Sequence, residues 1–146
     1  MEIRNMTNED YDAVYRLWLD TPGMGLNDLD DSAEGVDRYL RRNPTTCFVA
    51  VEDERIVGVI MSGHDGRRGY IHHTAVAASR QRQGIGKLLL RHALDALERE
   101  EIKKVALVVF QKNETGNRFW ESCGFSARED LVYRNRALTE LRRIDT

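Results

Sequence analysis

The chain has 146 residues, with 22 basic and 24 acidic side chains and a net charge of −2. This length suits one domain, and the near balance of charge argues against nucleic acid or a membrane surface as the main partner. No run approaches the ~20 apolar residues of a membrane-spanning helix, and Met1–Arg4 shows no apolar signal region. Cys47 and Cys123 lie far apart, which predicts two reduced thiols and a cytoplasmic protein.

The predicted elements form a meander of strands and then alternate between strands and helices. Thr7 and Ser32 are N-cap residues for two amphipathic helices, the first running to about Leu19 and the second ending at Asn43-Pro44. Later helices are predicted over 84–100 and 114–122, and strands over Met1–Met6, Thr46–Glu52, Arg55–Ser62, Tyr70–Val76 and Val105–Phe110. A last extended region covers Phe125–Leu138. This order predicts a mixed sheet with helices on both faces.

The stretch from Gln81 to Gly86 joins a predicted strand to the long predicted helix. Two glycines at a helix start leave several backbone N–H groups bare and uncrowded, and together with the helix dipole these groups favour a diphosphate. The alternative is a glycine-rich turn that only begins a helix. The stretch therefore indicates where a nucleotide-containing cofactor would bind.

The spacing excludes two common phosphate loops. A P-loop would need Gly at position 81 and Ser or Thr after Lys87, but the chain has Gln81 and Leu88. A dinucleotide fingerprint that starts at Gly84 would need Gly or Ala at position 89, where the chain has Leu89. The pattern that remains is Gln-x-x-Gly-x-Gly.

That pattern is similar to the coenzyme A diphosphate loop of the GNAT superfamily of N-acetyltransferases. The segment Asn113–Phe125 resembles the second motif of the same family, with an Asn, a short helix, the aromatic pair Phe119-Trp120 and a closing Gly-Phe. The resemblance implies an α/β (α+β) GNAT fold, with a mixed central sheet splayed between its fourth and fifth strands, and a single N-acetyltransferase domain over residues 1–146. It also implies direct, acetyl-CoA-dependent transfer of an acetyl group to a primary amine of a small molecule or protein. The alternative is a non-catalytic regulatory module that binds acyl-CoA.

By the same resemblance, acetyl-CoA (coenzyme A) is the co-substrate, and no metal is involved. Main-chain groups of one strand would pair with the pantetheine arm, namely those of Thr74, Ala75 and Val76. The diphosphate would be held by Gln81, Arg82, Gln83, Gly84, Ile85, Gly86 and Lys87, and the remaining contacts would come from Asn113, Asn117 and Trp120. For the side chains of Arg82 and Lys87, a solvated basic helix end is an equal alternative.

His72 is the predicted general base, because an ordinary imidazole titrates in the range that suits proton removal from an amine. Side chains along a strand alternate, so Tyr70, His72 and Thr74 should share one face and His73 should point to the other. Because the two histidine side chains should point to opposite faces, a metal site formed by both is not expected. By resemblance, the His72 face includes the place where some family members keep a glutamate. The alternatives are a hydrogen-bonded sheet histidine without catalytic function and proton removal by a chain of water molecules.

The predicted proton donor departs from the family pattern. Many members have Tyr as the second residue of the aromatic pair, where this chain has Trp120. An indole N–H can donate a hydrogen bond to a thiolate but is no proton source. Either the thiolate leaves unprotonated, or Tyr70 or Tyr133 serves instead. Plain core packing is the alternative for Trp120.

By the same resemblance, the acceptor is expected to bind at the region of the first two helices and at the final strand. An acidic cluster between the two helices would suit a cationic amine. Asn27 and Asp28 are the predicted substrate ligands, with Asp30, Asp31 and Glu34 nearby. The alternative is a polar loop that caps a helix. A homodimer through an unpaired C-terminal strand is a further expectation.

Overall fold

The computed structural model describes residues 1–145, which form a five-stranded sheet and four α-helices. The strands are β1 (Glu2–Asn5), β2 (Phe48–Glu52), β3 (Arg55–His64), β4 (Gly69–Val76) and β5 (Val105–Ala106). The helices are α1 (Tyr11–Leu19), α2 (Ala33–Arg42), α3 (Ile85–Arg99) and α4 (Glu114–Ser122). The strand order is β1-β2-β3-β4-β5, antiparallel except for the parallel pair β4–β5. The mixed sheet predicted from the sequence is confirmed.

Apolar side chains fill a core on each face of the sheet. Helices α1 and α2 cover one face, where the fully buried Trp18 packs with Val14, Val36, Val49 and Val59. Helix α3 covers the other face through Leu89, Ala93 and Leu90, with Trp120 of α4 partly buried against the same cluster. Burying a Val, Leu or Ile side chain is worth about 1.5–3 kcal/mol, so these two layers hold the helices against the sheet.

The helix and hairpin boundaries follow local chemistry. The Ser32 hydroxyl accepts the N–H of Gly35 at 3.0 Å and caps α2, as the sequence predicts. The strands β2 and β3 are joined by Asp53 and Glu54, both at positive φ (50° and 63°), which is the backbone of a two-residue hairpin turn. These turns and caps fix the meander of the first four strands.

Strand β5 is shorter than the sequence predicts. Pairing with β4 is limited to Gly69 with Val105 and Tyr70 with Ala106, after which the two strands part. The predicted strand Val105–Phe110 is therefore wrong beyond Ala106, because residues 107–110 have no neighbouring strand to continue the ladder. The parting of β4 from β5 is the splay that the resemblance implied.

The C-terminal segment also differs from expectation. No strand forms within residues 125–145, so the extended region predicted over Phe125–Leu138 does not join the sheet as a strand. The far end of the segment pairs instead with the loop before α2, where the N–H of Asp28 donates to the Arg142 carbonyl at 2.9 Å. Large apolar side chains stay exposed between these ends, namely Leu131, Val132, Tyr133 and Leu138. The expected homodimer stays a prediction.

Candidate active site

A β-bulge interrupts β4 at its paired histidines. Val59 of β3 pairs with Ala75 and Met61 pairs with His72, so two residues of β4 face the single residue between Val59 and Met61. His73 occupies the bulge with φ +38°. The extra residue breaks the alternation of side chains, and the two histidine rings come together with centroids 6.1 Å apart.

The predicted opposition of the two histidines is therefore wrong. Both rings lie on the side of the sheet that α1 and α2 cover, since His73 packs against Trp18 and His72 against Tyr39. The prediction assumed a uniform strand with a period of two residues, and one inserted residue cancels that period. No feature of the sequence marks the bulge.

His72 lies between two tyrosine rings. Its centroid is 4.6 Å from that of Tyr70 and 5.6 Å from that of Tyr39. Burial, followed by the nearby charge of His73, lowers the pKa of His72 to about 4, against a smaller opposing effect of Asp31 and Asp30. His72 is therefore a neutral and weak base at pH 7.

The depressed pKa of His72 makes the free energy of unfolding depend on pH. Between about pH 6.5 and 4 the unfolded chain binds a proton at this histidine and the folded chain does not, so stability falls as pH falls. We expect His72 to account for a loss of up to about 3 kcal/mol across this window. Urea unfolding at pH 7 and pH 4 should show a smaller drop for His72→Asn than for the wild type. Equal drops would contradict this account.

His73 has a carboxylate partner. Its Nε2 lies 2.7 Å from Oδ1 of Asp31, and the two side chains are 17% and 7% exposed. The other oxygen of Asp31 accepts the N–H of Asn27 at 2.8 Å. The indole N–H of Trp18 donates to the His73 carbonyl at 3.1 Å, which satisfies a backbone group that the bulge releases from the ladder. Sequence reasoning missed this pair, because Asp31 and His73 are far apart in the chain.

The glycine loop has the bare backbone that the sequence predicts. Gly84 is the N-cap of α3 at φ +82°, and no side chain caps it. A Cβ at Gly84 would meet nothing within 4 Å, so open space lies beside this helix end. The side chain of Gln81 donates to the Val76 carbonyl at 3.2 Å and ties the loop to the end of β4. Uncapped amides beside open space fit a diphosphate.

Gly86, the second glycine of the loop, allows α3 and α4 to pack closely. A Cβ at Gly86 would lie 3.1 Å from the ring of Phe119, so glycine lets the start of α3 approach α4 closely. Ile85 between the glycines is buried in the core, whereas Arg82, Gln83 and Lys87 are exposed. The exposed members of the loop are thus the ones placed to meet a ligand.

The open edge of β4 lies next to this loop. Beyond Tyr70 no strand pairs with β4 on the side of β5, within the part of the chain that the structure describes. Thr74, Ala75 and Val76 belong to this unpaired stretch. Their main-chain groups can therefore accept an added extended segment, and the pairing with pantetheine that the resemblance implies stays a prediction.

Asn113 and Asn117, at the start of α4, form hydrogen bonds within the protein. Asn113 caps the helix by accepting the Gly116 N–H at 2.9 Å. The side-chain amide of Asn117 donates to the carbonyls of Asn113 and Phe110 at 2.8 and 3.1 Å. Both side chains thus bond to main-chain groups at the start of α4, and a contact of either with coenzyme A stays a prediction.

The aromatic residues considered at the leaving thiolate differ in their surroundings. Trp120 packs edge-on against Phe119 and Phe125, with centroids 4.9 and 5.3 Å away, which is the core packing weighed as its alternative. Burial, and to a lesser degree the nearby Tyr133, raises the pKa of Tyr70. Tyr133 itself is 66% exposed. The Tyr70 hydroxyl therefore keeps its proton at neutral pH.

The predicted acceptor ligands bond within the protein. Oδ1 of Asn27 accepts the N–H groups of Leu29 and Asp30 at 3.0 and 2.7 Å, and Oδ1 of Asp28 accepts the N–H of Arg142 at 2.7 Å. The loop thereby holds Asp31 in place beneath the histidine pair. Contact of Asn27 and Asp28 with an acceptor stays a prediction.

Three further observations concern metal ligands, thiols and membrane spans. In residues 1–145 no group of three or more His, Cys, Asp or Glu side chains is arranged to hold a metal ion. Cys47 and Cys123 are both free thiols. No helix in the same residues has the length and apolar character needed to cross a membrane.

The fold combines a mixed sheet that splays between β4 and β5 with an uncapped glycine loop at the start of α3. The family model for the acetyltransferase (GNAT) family matches residues 11–125, and the chain belongs to that family. An acetyltransferase of Photorhabdus laumondii is 27% identical over 96% of this chain and 98% of its own length. These matches confirm the resemblance seen in the sequence and identify the chain as an acetyltransferase.

Solved structures share the fold. Ard1 from Thermoplasma volcanium superposes with a TM-score of 0.76 at 22% identity, over 86% of this chain and 82% of that one. Rv2747 from Mycobacterium tuberculosis, solved in complex with CoA and NLQ, has a TM-score of 0.69 at 20% identity, over 88% and 74% of the two chains. The fold class predicted from the sequence is confirmed.

Proposed function

We propose that this protein transfers the acetyl group of acetyl-CoA directly to a primary amine of a small molecule or protein. The observation that carries the proposal is the position of the uncapped start of α3 beside the unpaired edge of β4. A long ligand with a diphosphate at one end and amide groups along its arm would use both features at once. A CoA complex of a protein with the same fold supports this choice of ligand.

Each part of the site then has a task. The amides at the start of α3 bind the diphosphate, and the exposed Arg82 and Lys87 add positive charge. The main chain of Thr74–Val76 aligns the pantetheine arm. When bound, acetyl-CoA supplies the acetyl group as a thioester. Backbone N–H groups near Ala75 are placed to stabilise negative charge on the thioester oxygen.

We assign proton transfer to the residues around the bulge. An amine acceptor is an ammonium ion in water and must lose a proton before it can attack. The bulge of β4 brings an imidazole beside the open edge of this strand, where it can accept that proton. Tyr70 and Tyr133 are the candidates to protonate the leaving thiolate, while Trp120 can only donate a hydrogen bond. Asn27, Asp28 and their acidic neighbours favour a cationic acceptor.

One observation favours a second candidate function, a regulatory module that binds acyl-CoA without turnover. Trp120 stands where many family members have a tyrosine, and it packs with Phe119 and Phe125. A module of this kind would keep the diphosphate loop and need no proton donor.

Two measurements on the purified protein separate these functions. Calorimetric titration with acetyl-CoA should show binding, and a thiol-release assay with a panel of primary amines should show turnover above the rate of hydrolysis without amine. The panel should include a polyamine, an aminoglycoside and peptides with a free N-terminus or lysine. No binding at millimolar acetyl-CoA would overturn both functions, whereas binding without turnover of any amine would favour the regulatory module.

A further inference from the structure

The contact between Asp31 and His73 joins two parts of the chain that are 42 residues apart. Asp31 ends the loop that precedes α2, and His73 is the bulge residue of β4. The carboxylate is itself fixed, because one oxygen accepts the Asn27 N–H and the backbone carbonyl of Asp31 accepts the Tyr11 hydroxyl at 2.7 Å. A carboxylate held in this way can fix the orientation of the ring it contacts.

The geometry assigns the tautomer of His73. An ionised carboxylate only accepts hydrogen bonds, so the neutral ring must carry its proton on Nε2, which faces Asp31. Nδ1 is then the lone-pair nitrogen. Within residues 1–145, Nδ1 has no hydrogen-bond partner, and no buried side-chain nitrogen or oxygen is left unpaired, so Nδ1 reaches solvent.

We infer that His73, oriented by Asp31, is the general base that deprotonates the acceptor amine, an inference that rests on the proposed function. An N–H bond of the ammonium breaks, its electron pair stays on the amine nitrogen, and the proton forms a bond to Nδ1. The ring becomes an imidazolium ion whose charge Asp31 balances. The proton then passes from Nδ1 to solvent, so the total charge is conserved.

His72 is less suited to this task, although the sequence favours it. Its ring is enclosed by Tyr39 and Tyr70, and it has no carboxylate within hydrogen-bonding distance among residues 1–145. The groups that face the pair are Trp18 from α1, and Asp31 and Asp30 from the loop before α2. Only His73 combines a fixed tautomer with a solvent-facing lone pair.

The test compares two matched variants, His73→Asn and His72→Asn. Asparagine suits the comparison because it tolerates the positive φ of the bulge and does not titrate. We expect His73→Asn to lower kcat/KM for the amine by about 10²–10⁴-fold and to remove the acidic limb of the pH–rate profile. His72→Asn should change kcat/KM by less than about fivefold and keep that limb. Asp31→Asn should lower kcat/KM by at least about tenfold.

A second measurement does not depend on activity. Nitrogen-15 NMR of the free protein should show His73 with its proton on Nε2, and Asp31→Asn should shift the tautomer population toward Nδ1–H. Calorimetry with acetyl-CoA should give the same affinity for the wild type and His73→Asn, which also shows that the variant folds.

The outcomes keep the two proposals distinct. Unchanged kcat/KM in His73→Asn, or an Nδ1–H tautomer in the wild type, would overturn the role of His73 and leave the acetyl transfer intact. Absence of turnover by the wild type with every amine would overturn the proposed function and the role of His73 together.

Discussion

Gly84→Asp is expected to weaken the binding of acetyl-CoA by about 100-fold, or about 2.7 kcal/mol. The substitution places a carboxylate at the uncapped start of α3, beside the open space where a diphosphate would lie. The aspartate can cap the helix and take up the same amides, and its charge repels the phosphates. Calorimetric titration measures the effect directly.

The control for this substitution is Gly66→Asp. Gly66 has φ +92° and Gly84 has φ +82°, and a Cβ at either glycine would meet nothing within 4 Å. The cost of placing a side chain at positive φ is about 1–2 kcal/mol at either site, so both variants should unfold at similar urea concentrations. Only Gly84→Asp should lose affinity. Equal affinities of the two variants would show that the diphosphate binds elsewhere.

Gly35→Ala is expected to lower the free energy of unfolding by about 3 kcal/mol. Gly35 lies in the first turn of α2, and a Cβ there would fall well inside contact distance of the backbone carbonyls of Leu29 and Asp30. Backbone atoms cannot rotate away, so either the loop or the start of α2 must move. Since the same loop ends in Asp31, the folded fraction should also lose catalytic activity.

Gly58→Ala is the control for the stability effect. Its Cβ would lie 3.0 Å from Leu89 Cδ1, the end of a flexible side chain, and 3.2 Å from Ile85 Cγ2, and no backbone atom is among these contacts. Small shifts of these side chains relieve the contact, so we expect a loss of about 1 kcal/mol. Urea unfolding of both variants provides the comparison. A loss for Gly35→Ala no larger than for Gly58→Ala would contradict the backbone clash.

The elements that sequence reasoning predicts well are those with local signals. Ser32 caps α2 as predicted, and α3 spans Ile85–Arg99 against the predicted 84–100. The period of apolar residues and the capping chemistry lie within these segments, so no knowledge of distant contacts is needed. The uncapped glycine start of α3 was predictable for the same reason, because its glycines and the helix that follows are contiguous.

The parts that sequence reasoning missed depend on distant contacts. Strand β5 ends at Ala106 because it diverges from β4 there. The sequence of β5 by itself does not show this divergence. The bulge at His73 is satisfied by the indole N–H of Trp18, which is 55 residues away. A strand period taken from β4 alone therefore assigns the two histidines to opposite faces and cannot place His73 beside Asp31.

The short ladder between β4 and β5 also determines where local opening of the fold costs the least free energy. The paired residues Gly69–Tyr70 and Val105–Ala106 close a chain segment that contains the whole of α3, so a few hydrogen bonds must offset the entropy of a long loop. The antiparallel strands β2, β3 and β4 are joined by short turns and much longer ladders. Sub-global opening should therefore begin at the wedge between β4 and β5, where a cofactor arm would otherwise bridge the two strands.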